Sequence, residues 1–242
     1  PQVVYRIVGE RAGIRTRFQA GLQRGVTELV SRKPEMAALG AAFEKAAKGE
    51  AQLVDISGEA GVGKSRLVHE FSQTLDEGVF FLTGACVDYG HKINFLPLID
   101  IVRAAFTITR DASQAEAKQM ISSTATDDLA EMVPFYQNLL SLKVDDPNFD
   151  MIQPEGRKFG TFEAVKKLLF AFSRKMSLVI FVEDVHWIDE ISREFFTYFT
   201  RHFHGHPVLM VANYRPEFIS PWTGVKNYRK IILETLSSGS SA

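Results

Sequence analysis

The chain has 242 residues, of which 45% are hydrophobic and 24% charged, as in a globular protein with one large core or two small ones. With a formal net charge of −1, the chain lacks the overall basic balance that is typical of nucleic-acid-binding proteins, so nucleic acid is not the leading expected partner. The longest apolar runs, such as 178–182, are far shorter than the ~20 residues of a membrane span. The single cysteine, Cys86, fits a reducing compartment, and we expect a cytoplasmic protein.

The two ends of the chain differ from its middle. Residues 3–8 have the β-branched and aromatic character of a strand, and the polar residues after them are typical of a linker. We expect a strand and linker over 1–27, a main domain over 28–236, and a tail or the start of a further subdomain over 237–242. Because the chain begins without methionine and ends in serine and glycine, we expect a fragment of a larger protein.

The main domain is predicted to open with a helix over 33–48. Pro34 suits the first turn, Gly49 provides the stop, and apolar residues recur at helical spacing between them. Ser31 is a candidate N-cap residue for this helix.

Residues 58–65 fill the phosphate-loop pattern G-x-x-x-x-G-K-[ST] at every constrained position. A short buried strand is predicted before the loop, over 52–57, and a helix after it. Glycines let the backbone wrap closely around a polyphosphate, while the N–H groups at the helix start attract its negative charge. Lys64 is expected to reach the β- and γ-phosphates, and Ser65 to offer its hydroxyl to Mg²⁺. The expected phosphate-binding residues are Gly58, Glu59, Ala60, Gly61, Val62, Gly63, Lys64, Ser65 and Arg66.

The central part of the chain is predicted to be largely helical after a second strand over 79–84. A helix is expected over 98–106, and residues 111–153 are predicted to form short helical pieces. Their Asp and Ser content predicts an exposed insertion, which we place over about 98–153. The expected breaks lie at Pro134, Pro147 and Pro154. A long amphipathic helix is then predicted over 155–175.

The continuous apolar run at 178–182 predicts a strand covered on both faces of a parallel sheet, and it ends in Glu183 and Asp184. One carboxylate in this position can hold Mg²⁺ through its waters, and the next can orient or deprotonate an attacking water. We assign the metal role to Glu183 and the catalytic role to Asp184. Because a glutamate commonly stands where this chain has the shorter Asp184, slow turnover is the expected consequence.

A helix predicted over 190–202 follows, with Asp189 favoured as its N-cap. His186 and Trp187 lie just before it; they could couple a γ-phosphate site to the surface or belong to the core, and for His186 both interpretations stay open. A surface turn is favoured over a zinc site for the alternating histidines, because no cysteine or carboxylate stands at ligand spacing. These histidines are His202, His204 and His206.

The last predicted strands lie at 207–213 and 230–234. Arg215 comes directly after the first of them. A guanidinium there could bind a γ-phosphate as a fork of hydrogen-bond donors, and an ordinary loop arginine is the alternative.

Two motifs give this chain a resemblance to a known family. The string at 181–189, F-V-E-D-V-H-W-I-D, resembles the h-h-[DE]-D-h-H-W-h-D signature of STAND ATPases, in particular those attached to class III adenylate or guanylate cyclases. Residues 29–35 resemble the h-h-G-R-x-x-E segment that precedes the phosphate loop in AAA+ and STAND ATPases, with Ser31 in place of glycine. The resemblance implies a three-layer α/β/α P-loop domain with a central, parallel, five-stranded sheet.

The resemblance also implies roles for individual residues. Leu29 and Val30 would contact the adenine, Arg32 the phosphates or a neighbouring acidic group, and Arg215 would occupy the sensor 1 position. The strand that ends in Glu183 and Asp184, called the Walker B strand in this family, and the sensor strand before Arg215 would both lie beside the phosphate-loop strand. The implied cofactors are ATP or ADP and Mg²⁺. The expected catalytic residues are Lys64, Glu183, Asp184 and Arg215, and the expected metal ligands are Ser65 and Glu183.

The implied function is that of a slowly hydrolysing signalling ATPase, a regulatory module of a cyclase-like protein. Residues 3–10 also resemble the tail that follows a class III cyclase domain. The implied partners are ATP, a fused or associated output domain, and further copies of the chain in nucleotide-dependent self-association. Two alternatives stay open: a non-hydrolysing nucleotide sensor that presents a partner surface, and a DNA-associated AAA+ ATPase or ATP-binding transcriptional regulator.

Overall fold

The structure is a computed structural model that describes residues 32–88 and 93–235. The predictions for Leu29, Val30, Ser31, the segment 1–27 and the tail 237–242 lie outside the described residues. Among the helices in the described ranges, none is long and apolar enough to cross a membrane.

Helices and strands alternate along most of the described chain. The helices are α1 (Lys33–Ala47), α2 (Lys64–Gln73), α3 (Leu96–Ala105), α4 (Gln114–Thr124), α5 (Val133–Leu139), α6 (Pro154–Ser173) and α7 (Glu190–His202). The strands are β1 (Gln52–Gly58), β2 (Val79–Ala85), β3 (Ser177–Glu183), β4 (Val208–Tyr214) and β5 (Tyr228–Leu233). Short 3₁₀ helices span Asp127–Met132, Phe149–Met151 and Val185–Trp187. The predicted elements are confirmed to within two residues at most of their ends.

The five strands form one parallel sheet in the order β2-β3-β4-β1-β5, which confirms the predicted five-stranded fold. One expectation about it is wrong: β4 pairs directly with β1, but the Walker B strand β3 does not, because β4 lies between them. In register, Ser57 lies opposite Tyr214, and Ala85 opposite Glu183. The carboxyl ends of the strands therefore meet at one edge of the sheet, where open α/β sheets bind ligands.

Helices cover the sheet on both faces, and each strand divides its side chains between two cores. On β3, Val179 and Phe181 face the core formed with α1 and α2. Leu178, Ile180 and Val182 face the larger core formed with α3, α6 and α7. This double burial explains the continuous apolar run that predicted the strand, because neither face of it contacts water.

The segment predicted as an exposed insertion contributes to the larger core, so the expectation of exposure is wrong. Ile121, Tyr136, Leu139 and Phe149 are all buried, and the first three belong to the same core as α6 and α7. The Tyr136 hydroxyl also donates a hydrogen bond to the Ala164 carbonyl oxygen at 2.8 Å. Most of the segment's polar residues face solvent, with buried Gln137 as an exception, while its apolar residues anchor it to the core.

A buried carboxylate joins three strands beneath the edge where the phosphate loop begins. Asp55 lies on β1 and is fully buried. Its Oδ2 accepts hydrogen bonds from the Tyr214 hydroxyl on β4 at 2.9 Å and from the Tyr228 hydroxyl on β5 at 3.0 Å. Burial raises the pKa of the Asp55 carboxyl, and these hydroxyl donors oppose that effect. The cluster thus fixes Tyr214, the residue just before Arg215.

Replacing Tyr214 with phenylalanine is expected to lower the free energy of unfolding by about 2 kcal/mol at neutral pH, because buried Asp55 loses a donor. The pKa of Asp55 is raised in the folded state, so its favourable contribution is present below the unfolded pKa and is lost as pH rises through the folded pKa. The Tyr214 hydroxyl lowers that folded pKa, so its removal raises the pKa further. The Tyr214→Phe loss should therefore grow as pH rises from the unfolded pKa of about 4 through the folded pKa in urea unfolding curves.

The matched control is Tyr136→Phe, which removes a buried tyrosine hydroxyl that donates to a neutral backbone carbonyl. Its destabilisation is expected to be independent of pH over the same range, since no carboxylate is involved. A Tyr214→Phe loss that is equally independent of pH would contradict the role given to Asp55.

Candidate functional site: a phosphate-binding cleft

The phosphate loop connects β1 to α2 at the carboxyl edge of the sheet. Gly61 and Gly63 have φ angles of 79° and 99°, in the left-handed region that favours glycine. A Cβ on Gly58 would lie 2.6 Å from the Leu233 carbonyl oxygen, so β5 requires glycine where the loop begins. α2 starts at Lys64, and the amides of its first turn have no partner within the helix. Such a helix N-terminus attracts phosphate, because its N–H groups and the helix dipole favour negative charge.

Lys64 lies inside the loop and is only 7% exposed. Its Nζ donates hydrogen bonds to the carbonyl oxygens of Gly58 at 2.6 Å and Glu59 at 2.8 Å. Burial lowers the pKa of the ammonium, nearby Asp184 raises it, and nearby Arg215 lowers it. The Lys64 side chain is thus held at the loop, within electrostatic range of the Asp184 carboxylate and the Arg215 guanidinium.

Asn213 links the phosphate loop to the acidic end of β3. It is fully buried near the end of β4. Its Nδ2 donates to the Ser65 hydroxyl at 3.1 Å, and its Oδ1 accepts from the backbone N–H of Asp184 at 2.6 Å. Asp184 has a φ of 55°, an uncommon conformation for a non-glycine residue and one that asparagine and aspartate tolerate best. One amide therefore fixes the relative positions of both motifs.

Asn213 is a site residue that the sequence patterns did not reveal. The available signal is weak: one polar residue interrupts the apolar run of β4 near its carboxyl end. Its importance depends on β4 lying between β1 and β3, which brings the amide between Ser65 and Asp184.

A cleft of about 450 Å³ opens above the loop and brings the predicted catalytic residues together. The residues that line it are Ala60, Gly61, Gly63, Lys64, Ser65, Arg66, Glu183, Asp184, Trp187 and Arg215. All four predicted catalytic residues are in this set, as are both predicted metal ligands. Glu183 is buried at the last position of β3, while Asp184 and Arg215 are half-buried.

Arg32 lies outside this lining. It is 8% exposed, and its guanidinium donates to Glu35 Oε1 at 3.0 Å and to the Glu234 carbonyl oxygen at 2.5 Å. An acidic neighbour was one of the two partners predicted for Arg32. Its contact with the phosphates stays a prediction.

Two of the three alternating histidines contact neighbouring groups of the protein outside the cleft lining. His206 stacks on Phe170 with ring centroids 3.8 Å apart, and His202 Nδ1 lies 2.8 Å from the Tyr198 carbonyl oxygen. Within 32–88 and 93–235, no group of three or more His, Cys, Asp or Glu side chains is arranged to hold a metal ion. Asp189 caps α7 as predicted, because its Oδ1 accepts from the Ser192 N–H at 2.9 Å.

The cleft residues fit a magnesium nucleotide. Ser65, Glu183 and Asp184 supply hydroxyl and carboxylate oxygens, the hard donors that Mg²⁺ prefers, without nitrogen or sulfur competitors among the lining residues. Lys64 and Arg215 supply positive charge, and the glycine loop supplies backbone N–H groups for phosphate oxygens.

A glycine loop between a buried strand and a helix, facing carboxylates from a nearby parallel strand, defines a P-loop nucleoside triphosphatase domain. The family model described as "AAA ATPase domain" matches residues 28–211 of this chain. That match covers most of the chain, and the chain belongs to the AAA ATPase domain family.

A curated protein is similar in sequence over nearly the whole chain. An uncharacterized protein of Rhizobium meliloti (strain 1021) is 28% identical over 246 residues, a match that covers 98% of this chain and 23% of that protein. The chain therefore spans less than a quarter of the length of this curated relative.

Three solved structures are similar at low sequence identity. A Walker-type ATPase of Pyrococcus abyssi has a TM-score of 0.44 and 11% identity, covering 88% of this chain and 56% of that one. The structure of Drosophila ORC bound to DNA has a TM-score of 0.44 and 11% identity, and the match covers 95% of this chain and 51% of that one. A STAND protein with a tetratricopeptide repeat sensor from Pyrococcus horikoshii has a TM-score of 0.38 and 14% identity, and the match covers 88% of this chain and 24% of that one.

Proposed function

We propose that this domain binds ATP with Mg²⁺ and hydrolyses it slowly, as a molecular switch. The observation that carries the proposal is the convergence of Lys64, Ser65, Asp184 and Arg215 on one cleft. A phosphate loop alone supports nucleotide binding. Carboxylates and a second cation opposite the loop support transfer of the terminal phosphoryl group to water, because that reaction needs an oriented water and stabilised charge.

Each cleft residue has a proposed task. The loop amides and Lys64 bind the β- and γ-phosphates, and Ser65 and Glu183 would hold Mg²⁺. The bound ion would neutralise charge that develops on the phosphate oxygens. Asp184 orients the attacking water and accepts its proton, while Arg215 donates hydrogen bonds to the γ-phosphate.

Two features support slow turnover. Asp184 has a shorter side chain than the glutamate common at this position, and its backbone is fixed by the hydrogen bond from its N–H to Asn213. With its backbone fixed, the Asp184 carboxylate can approach a water only by rotation of a short side chain. The same features favour the alternative of a nucleotide sensor that does not hydrolyse, and measured turnover separates the two.

The test is to measure nucleotide binding by calorimetry and phosphate release from MgATP with the 242-residue chain. We expect ATP and ADP to bind, with phosphate released at less than about 1 s⁻¹. Removal of Mg²⁺ with EDTA should stop release, because Ser65 and Glu183 then lack the ion through which they act. A Lys64→Ala preparation serves as the blank for contaminating ATPases. Binding without any release would support the sensor instead, and no binding at all would overturn the proposal.

The role of the whole protein is a broader part of this proposal. The length of the curated relative supports a domain that works within a longer chain, where nucleotide state would control an output domain or self-association. A class III cyclase is the output domain that the resemblance at 181–189 suggests, in the cytoplasm. Cyclase activity of the longer protein that changes when Lys64 is replaced would support this role.

A further inference from the structure

Trp187 and Arg215 form a contact at the wall of the cleft that the roles above leave unexplained. Trp187 ends the short 3₁₀ helix after β3, and Arg215 follows β4 directly. The Arg215 Cζ lies 5.3 Å from the centroid of the Trp187 ring, within the distance of a cation–π interaction. Both side chains line the same cleft as Lys64 and Asp184.

The geometry leaves the guanidinium able to bind a second group. The guanidinium has five N–H donors spread around its plane, and a contact with one ring cannot engage all of them. Arg215 can therefore contact the indole and donate to a phosphate oxygen at the same time. Without a support, a half-buried arginine in a loop samples many rotamers, and ordering it opposes binding.

Trp187 also contacts the neighbouring His186. Their ring centroids are 4.4 Å apart with an interplanar angle of 39°. Burial lowers the pKa of His186, with Asp184 opposing and Arg215 and Lys64 adding to that effect.

The backbone of Arg215 is fixed as well. Tyr214, the preceding residue, is anchored through its hydroxyl to Asp55, and the Arg215 carbonyl oxygen accepts from the Phe218 N–H at 3.0 Å in a turn. With the main chain held, the side-chain direction is the remaining freedom, and the Trp187 ring is the surface that limits it.

We propose that Trp187 is a positioning residue that holds Arg215 for the terminal phosphate of ATP, and that this pair makes the domain distinguish ATP from ADP. The inference rests on the proposed nucleotide function of the cleft and adds the residue that positions Arg215. ADP lacks that phosphate, so its binding should not depend on Trp187.

The test compares Trp187→Phe with Trp187→Leu, which separates an aromatic face from apolar volume. Dissociation constants are measured for ADP and for a non-hydrolysable ATP analogue, both with Mg²⁺. Trp187→Leu is expected to weaken binding of the analogue about fivefold while leaving ADP unchanged. Trp187→Phe should restore most of the preference, because phenylalanine keeps a ring for the guanidinium.

Intrinsic fluorescence gives a second readout. The chain contains two tryptophans, and Trp222 is buried against Phe196, away from the lining of the cleft. In a Trp222→Phe background Trp187 is the sole tryptophan emitter. The ATP analogue is expected to change its emission, since a phosphate on Arg215 alters the charge over the indole, whereas ADP is expected to leave it unchanged.

The outcomes separate this inference from the proposed function. Equal weakening of both nucleotides by Trp187→Leu would show a merely structural role and overturn it. An unchanged preference in Trp187→Leu, or the same emission with both nucleotides, would also overturn it while the proposed function stands. A wild-type chain that binds neither nucleotide would overturn both.

Discussion

Replacing Lys64 with alanine is expected to abolish measurable binding of both ATP and ADP, a loss of about 100-fold or more in affinity. The ammonium is buried in the loop and held by the carbonyl oxygens of Gly58 and Glu59, so it is already oriented toward the phosphate site. Both nucleotides carry a β-phosphate that this charge would contact. Calorimetric titration with each nucleotide measures the effect.

Two controls make the Lys64 result interpretable. Lys175→Ala is the same substitution at an exposed site beside the amino end of β3, at the opposite edge of the sheet, and should leave binding unchanged. A thermal unfolding curve shows whether Lys64→Ala remains folded, because the substitution leaves two loop carbonyl oxygens without their donor. A folded Lys64→Ala chain that still binds ATP with wild-type affinity would contradict the assignment of the cleft.

Asp184→Asn is expected to keep ATP affinity within about twofold of the wild type and to slow phosphate release about 100-fold or more, the scale of a lost general base. Asparagine cannot accept the proton of the attacking water. It also tolerates the left-handed backbone that Asp184 adopts, and its own N–H can still donate to Asn213. Binding and single-turnover release, measured on the same preparation, check both halves of the expectation.

The choice of asparagine matters for this test. Asp184→Ala would remove the carboxylate and also place a less tolerant residue at a φ of 55°, so a loss of activity could come from the backbone. Normal release by Asp184→Asn would show that the catalytic role belongs to another group. Glu183 is the first candidate, because it is the other carboxylate in the cleft.

The sequence predicted the fold well where the signals were local. The phosphate-loop glycines require particular φ angles, and the apolar run of β3 reflects burial on both faces, so each could be recognised without knowing its neighbours. The insertion shows the limit of this approach. Its Asp and Ser content predicted exposure, but Ile121 and Tyr136 are buried, because apolar residues that alternate with the polar ones anchor the segment to the core.

By itself, the sequence determined that a phosphate loop connects a buried strand to a helix and that two carboxylates end another buried strand. These features follow from residue patterns within a few positions. Only the tertiary structure decided that β4 separates β1 from β3 and so places Asn213 between Ser65 and Asp184. It also decided that Arg215 lies over Trp187. Strand order and register set these contacts, and neither is encoded in the spacing of residues along one strand.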